Sequence, residues 1–309
     1  MNPKHFLELV LLAAIWGASF LFMRIASPAF GAENMAALRV VIAGITLLPV
    51  FALTAKKYLE PMPKDVKSQT IINLTLVSVG NSIIPFFLFA YATLTLEAGL
   101  TSVVNATTPL WGAFFGVILF GARLNKLGWL GLVIGLIGVV ILTAHKLFDG
   151  QISNNTNDLL AITAVIGATG LYGIASNYSK HSLSSIPSLL VASGTMVIGA
   201  LIVIPILMLN TNWAFLMSIE LLPWLSLIGL GAICTGIAYL IFYRLVEQTS
   251  ATTAMSVTYL IPMFGVFFGW IFLNEPIYIN MFFGGVLILF GVMLTTGLIK
   301  RKQTLVKTC

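Results

Sequence analysis

Apolar runs of about 20 residues, the length a helix needs to cross a bilayer, fill almost the whole of this 309-residue chain. Ten such runs fall at roughly 6–26, 34–54, 70–92, 98–120, 126–144, 158–179, 187–208, 222–244, 250–272 and 278–298. Hydrocarbon offers a backbone no hydrogen-bonding partner, so a chain of such runs is confined to a bundle of helices. Charged residues make up only 8% of it, against about 25% in soluble domains. The sequence therefore predicts an all-α polytopic membrane protein with ten transmembrane helices. The first run lacks a long basic lead and a small-residue cleavage site, so it reads as a retained helix rather than a cleaved signal peptide.

The runs contain a repeat. Pro-Leu-Trp-Gly-Ala-Phe-Phe-Gly at Pro109–Gly116 returns as Pro-Met-Phe-Gly-Val-Phe-Phe-Gly at Pro262–Gly269, an offset of 153 residues. The same offset carries Gly131 to Gly284, Gly138 to Gly291 and Thr143 to Thr296. Residues 1–150 thus form a first five-helix repeat, and 151–309 a second with a basic tail, joined through the polar stretch Gln151–Asp158.

Loop charge sets the orientation. With the N-terminus in the cytoplasm, all 16 basic residues except Lys146, Arg24 and Arg39 fall on the cytoplasmic side or in its tail. Glu33, Glu97, Asp149, Asp158, Glu220 and Glu275 gather on the opposite side. Five spans per repeat is an odd number, so the second copy enters the membrane from the opposite face. The expectation is an inverted repeat with both termini cytoplasmic, the construction that lets helices rock about a central site.

Three midspan prolines point to that site. Proline removes a helical hydrogen bond and frees the carbonyl four residues earlier. Pro85 would free Asn81, Pro109 would free Asn105 and Pro262 would free Thr258. Aromatic residues too deep for an interfacial belt lie nearby: Trp16, Phe20, Trp111, Tyr172, Tyr239 and Tyr259. The expected cavity lining is Trp16, Asn81, Asn105, Trp111, Tyr172, Tyr239 and Tyr259, its backbone shaped by Pro85, Pro109 and Pro262. Arg24 and Arg39, near the outer ends of the first two helices, would either snorkel and pair with Glu33 or line an outer vestibule. The small-xxx-small faces Gly112/Gly116, Gly265/Gly269 and Gly131/Gly135 read as close helix packing.

Other chemistries lack their residues. No Walker phosphate loop, His-Glu-x-x-His or Gly-x-Ser-x-Gly motif occurs. Cys234 and Cys309 form no metal-spaced pair, and His5, His145 and His181 are peripheral. No cofactor or metal is predicted, and no enzymatic activity. The net charge of +6 is spread over short loops that set topology, so nucleic acid is not an expected partner. The expected partners are a small-molecule solute and the lipid bilayer; the sequence leaves oligomeric state open, and a monomer fits it.

These residues resemble a known family. The ten spans in two halves, Trp16-Gly17, Arg39 at the start of the second helix, the Pro-x-x-Gly-x-Phe-Phe-Gly segments and Asn274-Glu275-Pro276 are similar to the drug/metabolite transporter superfamily, its EamA-like branch. The resemblance implies a cavity between the halves and transport of amino acids, related metabolites or drugs across the bacterial inner membrane, mostly outward. Some branches instead import metabolites such as S-adenosylmethionine. The family often carries Gly-Glu after the fourth helix, where this chain has Gly121-Ala122; only the second half keeps the acid, as Glu275. The sequence thus predicts a secondary transporter of a small organic metabolite working by alternating access, with export favoured. Metabolite uptake, or a passive channel or receptor scaffold, are the other readings.

Overall fold

The computed structural model describes residues 3–148, 156–249 and 254–297, and no strand occurs among them. Among the described residues, eight helices are long and apolar enough to cross a membrane. They are α1 Pro3–Phe30, α2 Ala32–Leu59, α3 Lys64–Ala92, α4 Ala98–Phe120, α5 Lys126–Phe148, α6 Thr156–Ser182, α7 Ser188–Asn210 and α8 Leu221–Gln248. Two further apolar helices, α9 Ile261–Leu273 and α10 Ile279–Thr295, have 13 and 17 residues. They overlie the expected spans at 250–272 and 278–298, of which residues 250–253 and 298 lie outside the described residues. Pro262 lies in the opening turn of α9, where a residue without an N–H and with a fixed φ is tolerated. Asp149, most of the polar link after it, and the basic tail from Lys300 lie outside the described residues.

The molecule is turned inside out relative to a soluble protein. Leu53, Leu76, Leu201, Leu209, Phe272 and Phe282 are exposed, whereas Ser27, Ser78, Thr101, Ser102 and Ser193 are fully buried. An apolar exterior of this extent suits lipid. Inside it the helices pair across the two halves of the sequence. α5 packs along α10, α2 along α7, α1 against α9, and the second part of α4 against α6.

The α5–α10 seam is the tightest. A Cβ on Gly291 would lie 2.5 Å from Gly131 O and 2.7 Å from Gly135 Cα, and one on Gly138 would lie 2.8 Å from Gly284 O. Glycine is required there because two backbones touch. The other glycine pairs pack too, on different partners. Gly112 faces Gly173 of α6, and Gly265 lies against Ser102 of α4. The repeat also shows in the helix ends: α4 ends on left-handed Gly121 (φ 67°) and α9 on left-handed Asn274 (φ 52°). These two positions are 153 residues apart, the spacing read from the sequence.

Candidate functional site

Three helices and the approach to a fourth are interrupted, and the interruptions face a common interior. α3 runs through a π-helical stretch, Val79–Ile83, before Pro85 opens the next α-helical turn. α8 does the same over Gly229–Ile237, where Thr235 Oγ1 donates to Leu230 O, five residues back. α4 breaks after Asn105 and restarts at Thr108 with Pro109 in its first turn. The approach to α9 is a 3-10 turn, Ser256–Tyr259, ended by Pro262. Such breaks at membrane depth are tolerated where the backbone finds protein or a wet cavity. The Asn105 carbonyl finds protein: Thr108 Oγ1 donates to it at 2.8 Å. A π stretch adds one residue per turn and re-aims the side chains that follow.

A cavity of about 590 Å³ lies where these interruptions meet. Trp16, Phe20, Phe86, Phe89 and Tyr172 supply aromatic walls, and Asn81, Asn105, Asn177 and Tyr239 supply polar edges. Phe89 stacks on Tyr172 with ring centres 5.8 Å apart, and Phe20 meets Phe89 edge-on at 6.1 Å. Asn81 and Tyr239 meet through their polar ends. Asn177 Nδ2 donates to Gly112 O and Gly173 O, tying α6 to α4 beside the break. At the deep end sits Arg39, with Nε 3.2 Å from Thr235 Oγ1, Nη1 3.4 Å from Met23 Sδ and the guanidinium 3.6 Å over the Phe86 ring.

The two ends of the cavity differ. Its exposed lining residues are Ser176, Lys180, Met255 and Thr296, near the ends of α6 and α10 and the approach to α9. Its deep residues, Phe20, Met23, Arg39, Cys234 and Thr235, are buried. Beyond them the protein is closed by a clasp. Arg24 Nη1 donates to Thr93 O and Leu94 O, both at 2.8 Å, and Ser27 Oγ lies 2.9 Å from Thr93 Oγ1. Glu275, in the loop between α9 and α10, accepts from the Ala98 and Gly99 amides at the start of α4, at 2.8 and 3.2 Å. A carboxylate on a helix N-terminus satisfies amides that have no partner within the helix, and its charge suits the helix dipole. Burial nevertheless raises the Glu275 carboxyl above its ordinary range, opposed by those two amide bonds and by Arg24. At the equivalent of Glu275 after α4 stands Ala122, so the clasp acid has no counterpart in the first half.

Trp16, Asn81, Asn105, Pro109, Tyr172 and Tyr239 are brought together on the cavity wall. Trp111 is not. It packs against Phe114 and Phe115, with its indole Nε1 buried and unbonded. Helix geometry is the reason: the face that carries Asn105 continues across the break through Thr108, Pro109, Gly112 and Ala113, whereas Trp111, six residues on, projects from another side of the helix. Tyr259 stands beside the cavity, its hydroxyl 3.0 Å from Thr296 Oγ1. Pro85 and Pro262 are buried behind the lining. The two arginines expected at an outer vestibule part company: Arg24 is consumed by the clasp, and Arg39 is turned inward, 7% exposed. Sequence reasoning missed Asn177, Lys180, Phe86 and Thr235. Asn177 carried a signal, being an amide four residues after Gly173 in an apolar helix; Phe86 and Thr235 carried none, because π stretches decide where they point.

Comparisons with known proteins show what the chain is similar to. The model of the EamA-like transporter family matches twice, at residues 6–144 and 159–297. "Uncharacterized transporter YoaV" of Bacillus subtilis is 23% identical over 97% of this chain and 99% of its own length. "Uncharacterized inner membrane transporter YedA" of Escherichia coli is 28% identical over 82% of this chain and 78% of its own. A solved crystal structure described only as that of a protein superposes with a TM-score of 0.62 at 17% identity, covering 97% of this chain and all of its own, and so shares the fold.

Proposed function

Since its two matches cover nearly the whole chain, the protein belongs to the EamA-like transporter family of multi-pass membrane proteins, and from that premise we propose a secondary transporter that moves a small organic metabolite by alternating access. One observation carries the reading: a solute-sized cavity between the two halves, open at one end and clasped at the other. Its volume lies in the range of small-molecule sites.

The ten helices form two inverted five-helix repeats in this reading. The helix pairing supports it, because exchanging the halves maps α5–α10 and α2–α7 onto themselves and α4–α6 onto α9–α1. The interruptions follow the same rule, with π stretches in α3 and α8 and proline breaks in α4 and before α9. Discontinuous helices at corresponding places in two halves are where such transporters hold their solute. Loop charge supports both termini in the cytoplasm, and the Escherichia coli relative named an inner membrane transporter supports the inner membrane as the site. The open end then faces the cytoplasm and the clasp faces outward, the state in which solute exchanges with the inside; export is the direction we propose.

The test is counterflow in liposomes containing the purified protein. Saturable accumulation of labelled solute, driven by unlabelled solute inside, is the expected result. Conductance without exchange would overturn alternating access and favour a channel.

A further inference from the structure

Arg39 enters the membrane interior without an acid to accompany it. No Asp or Glu lines the cavity, and Arg39 takes part in none of the ion pairs seen among the described residues. A guanidinium has five N–H donors. One reaches Thr235 Oγ1 and one reaches the weak acceptor Met23 Sδ, while Nη2 donates to no group among the described residues. The Phe86 ring covers one face of the group and can offset part of its charge through cation–π attraction. A buried charge left otherwise unpaired is costly, and here it borders a solute-sized space.

We propose that Arg39 is the anion-binding group of this cavity, and that the solute is an amphipathic organic anion: a carboxylate on an apolar or aromatic body, with no fixed positive charge of its own. The inference rests on the transporter reading and sharpens it. A carboxylate would supply acceptors for the free edge of the planar guanidinium, a geometry arginine suits. Phe20, Phe89, Tyr172 and Trp16 would take the body. Lys180, at the exposed end of the lining, adds charge of the same sign and draws anions toward the mouth. A cationic solute such as S-adenosylmethionine would meet two positive groups and no acid. A zwitterionic amino acid would find a partner for its carboxylate only.

The test uses full-length protein in detergent and matched probes: 3-phenylpropionate, its amide, 3-phenylpropylamine and phenylalanine, with 1-naphthoate as a larger carboxylate. Binding is read by thermal shift, because a ligand of the native state raises apparent stability by mass action. At least one carboxylate is expected to bind about tenfold or more tighter than the amide, the amine and phenylalanine. Arg39→Gln should erase that preference, and Arg39→Lys, which keeps the charge but not the planar fork, should retain only part of it. Should neither variant fold, the ranking on unaltered protein decides alone. Equal binding of carboxylate and amide, preference for the amine or the amino acid, or no shift with either carboxylate would overturn the proposal. So would an equal shift with chloride or inorganic phosphate. If the amide or amine binds best and is exchanged across liposomes, only the anion assignment fails. If a carboxylate binds through Arg39 but is never exchanged, the anion assignment stands and the transport reading fails.

Discussion

Asn105 and Trp111 look alike from the sequence, a polar and an amphipathic residue beside the same proline, yet a spacing of six positions sends them to different sides of the helix, Asn105 to the cavity and Trp111 away from it. Asn105→Ala removes a polar group from the cavity wall and should lower exchange several-fold without changing the melting temperature. Trp111→Phe removes a buried N–H that has no partner, so it should melt no earlier than the parent and keep transport; restoring that hydrogen bond is not at stake. Loss of exchange in the Phe variant would return Trp111 to the site. Glu275 makes a prediction about pH. Its carboxyl is raised by burial above 4.5, so the folded protein holds that proton more tightly than the unfolded chain does. Stability from this group is therefore full below pH 4.5 and falls as pH climbs through the raised folded value. Thermal unfolding of Glu275→Gln lacks this component, and the parent should lose ground to the variant across that window. A pH-independent difference would refute the assignment.

The helices were legible as elements, because hydrocarbon demands runs of apolar residues and these are visible one by one. Their interruptions were legible only where proline announces them, at Pro85, Pro109 and Pro262. Gly229–Ile237 has no proline, and nothing in its apolar, glycine-rich sequence distinguishes a π-helical path from a regular one. Glycine spacing foretold close packing but not which faces meet, since any small-xxx-small face can receive any helix of the right shape. The structure assigns the closest approach to α5 and α10. Gly291→Ala tests it: the new Cβ would meet backbone atoms at 2.5 to 2.7 Å, and overpacking of this kind typically costs about 1–3 kcal/mol. A lower melting temperature and poorer recovery of monodisperse protein are expected. An alanine variant with the parent's melting point would mean the two helices do not touch there.

At the scale of the whole molecule, the clasp at one end and the mouth at the other make a statement about motion. If alternating access is right, Ser27 must leave Thr93, and Glu275 must leave Ala98 and Gly99, in every cycle. A double substitution, Ser27→Cys with Thr93→Cys in a background without Cys234 and Cys309, should form a disulfide across the 2.9 Å hydroxyl contact. Oxidation should then stop exchange and a reductant should restore it; undiminished exchange by the oxidised protein would show that the clasp never opens. The sequence by itself determined the membrane environment, the helical class, the duplication at 153 residues and the transporter resemblance, because apolar length, repeat spacing and motif are linear properties of a chain. Only the tertiary structure decided that Arg24 closes the protein while Arg39 faces its cavity, that Trp111 lies outside the cavity, and that one end is shut. Those outcomes depend on how interrupted helices rotate and which neighbours they meet, and a helix's rotation about its own axis is fixed by packing across the two halves.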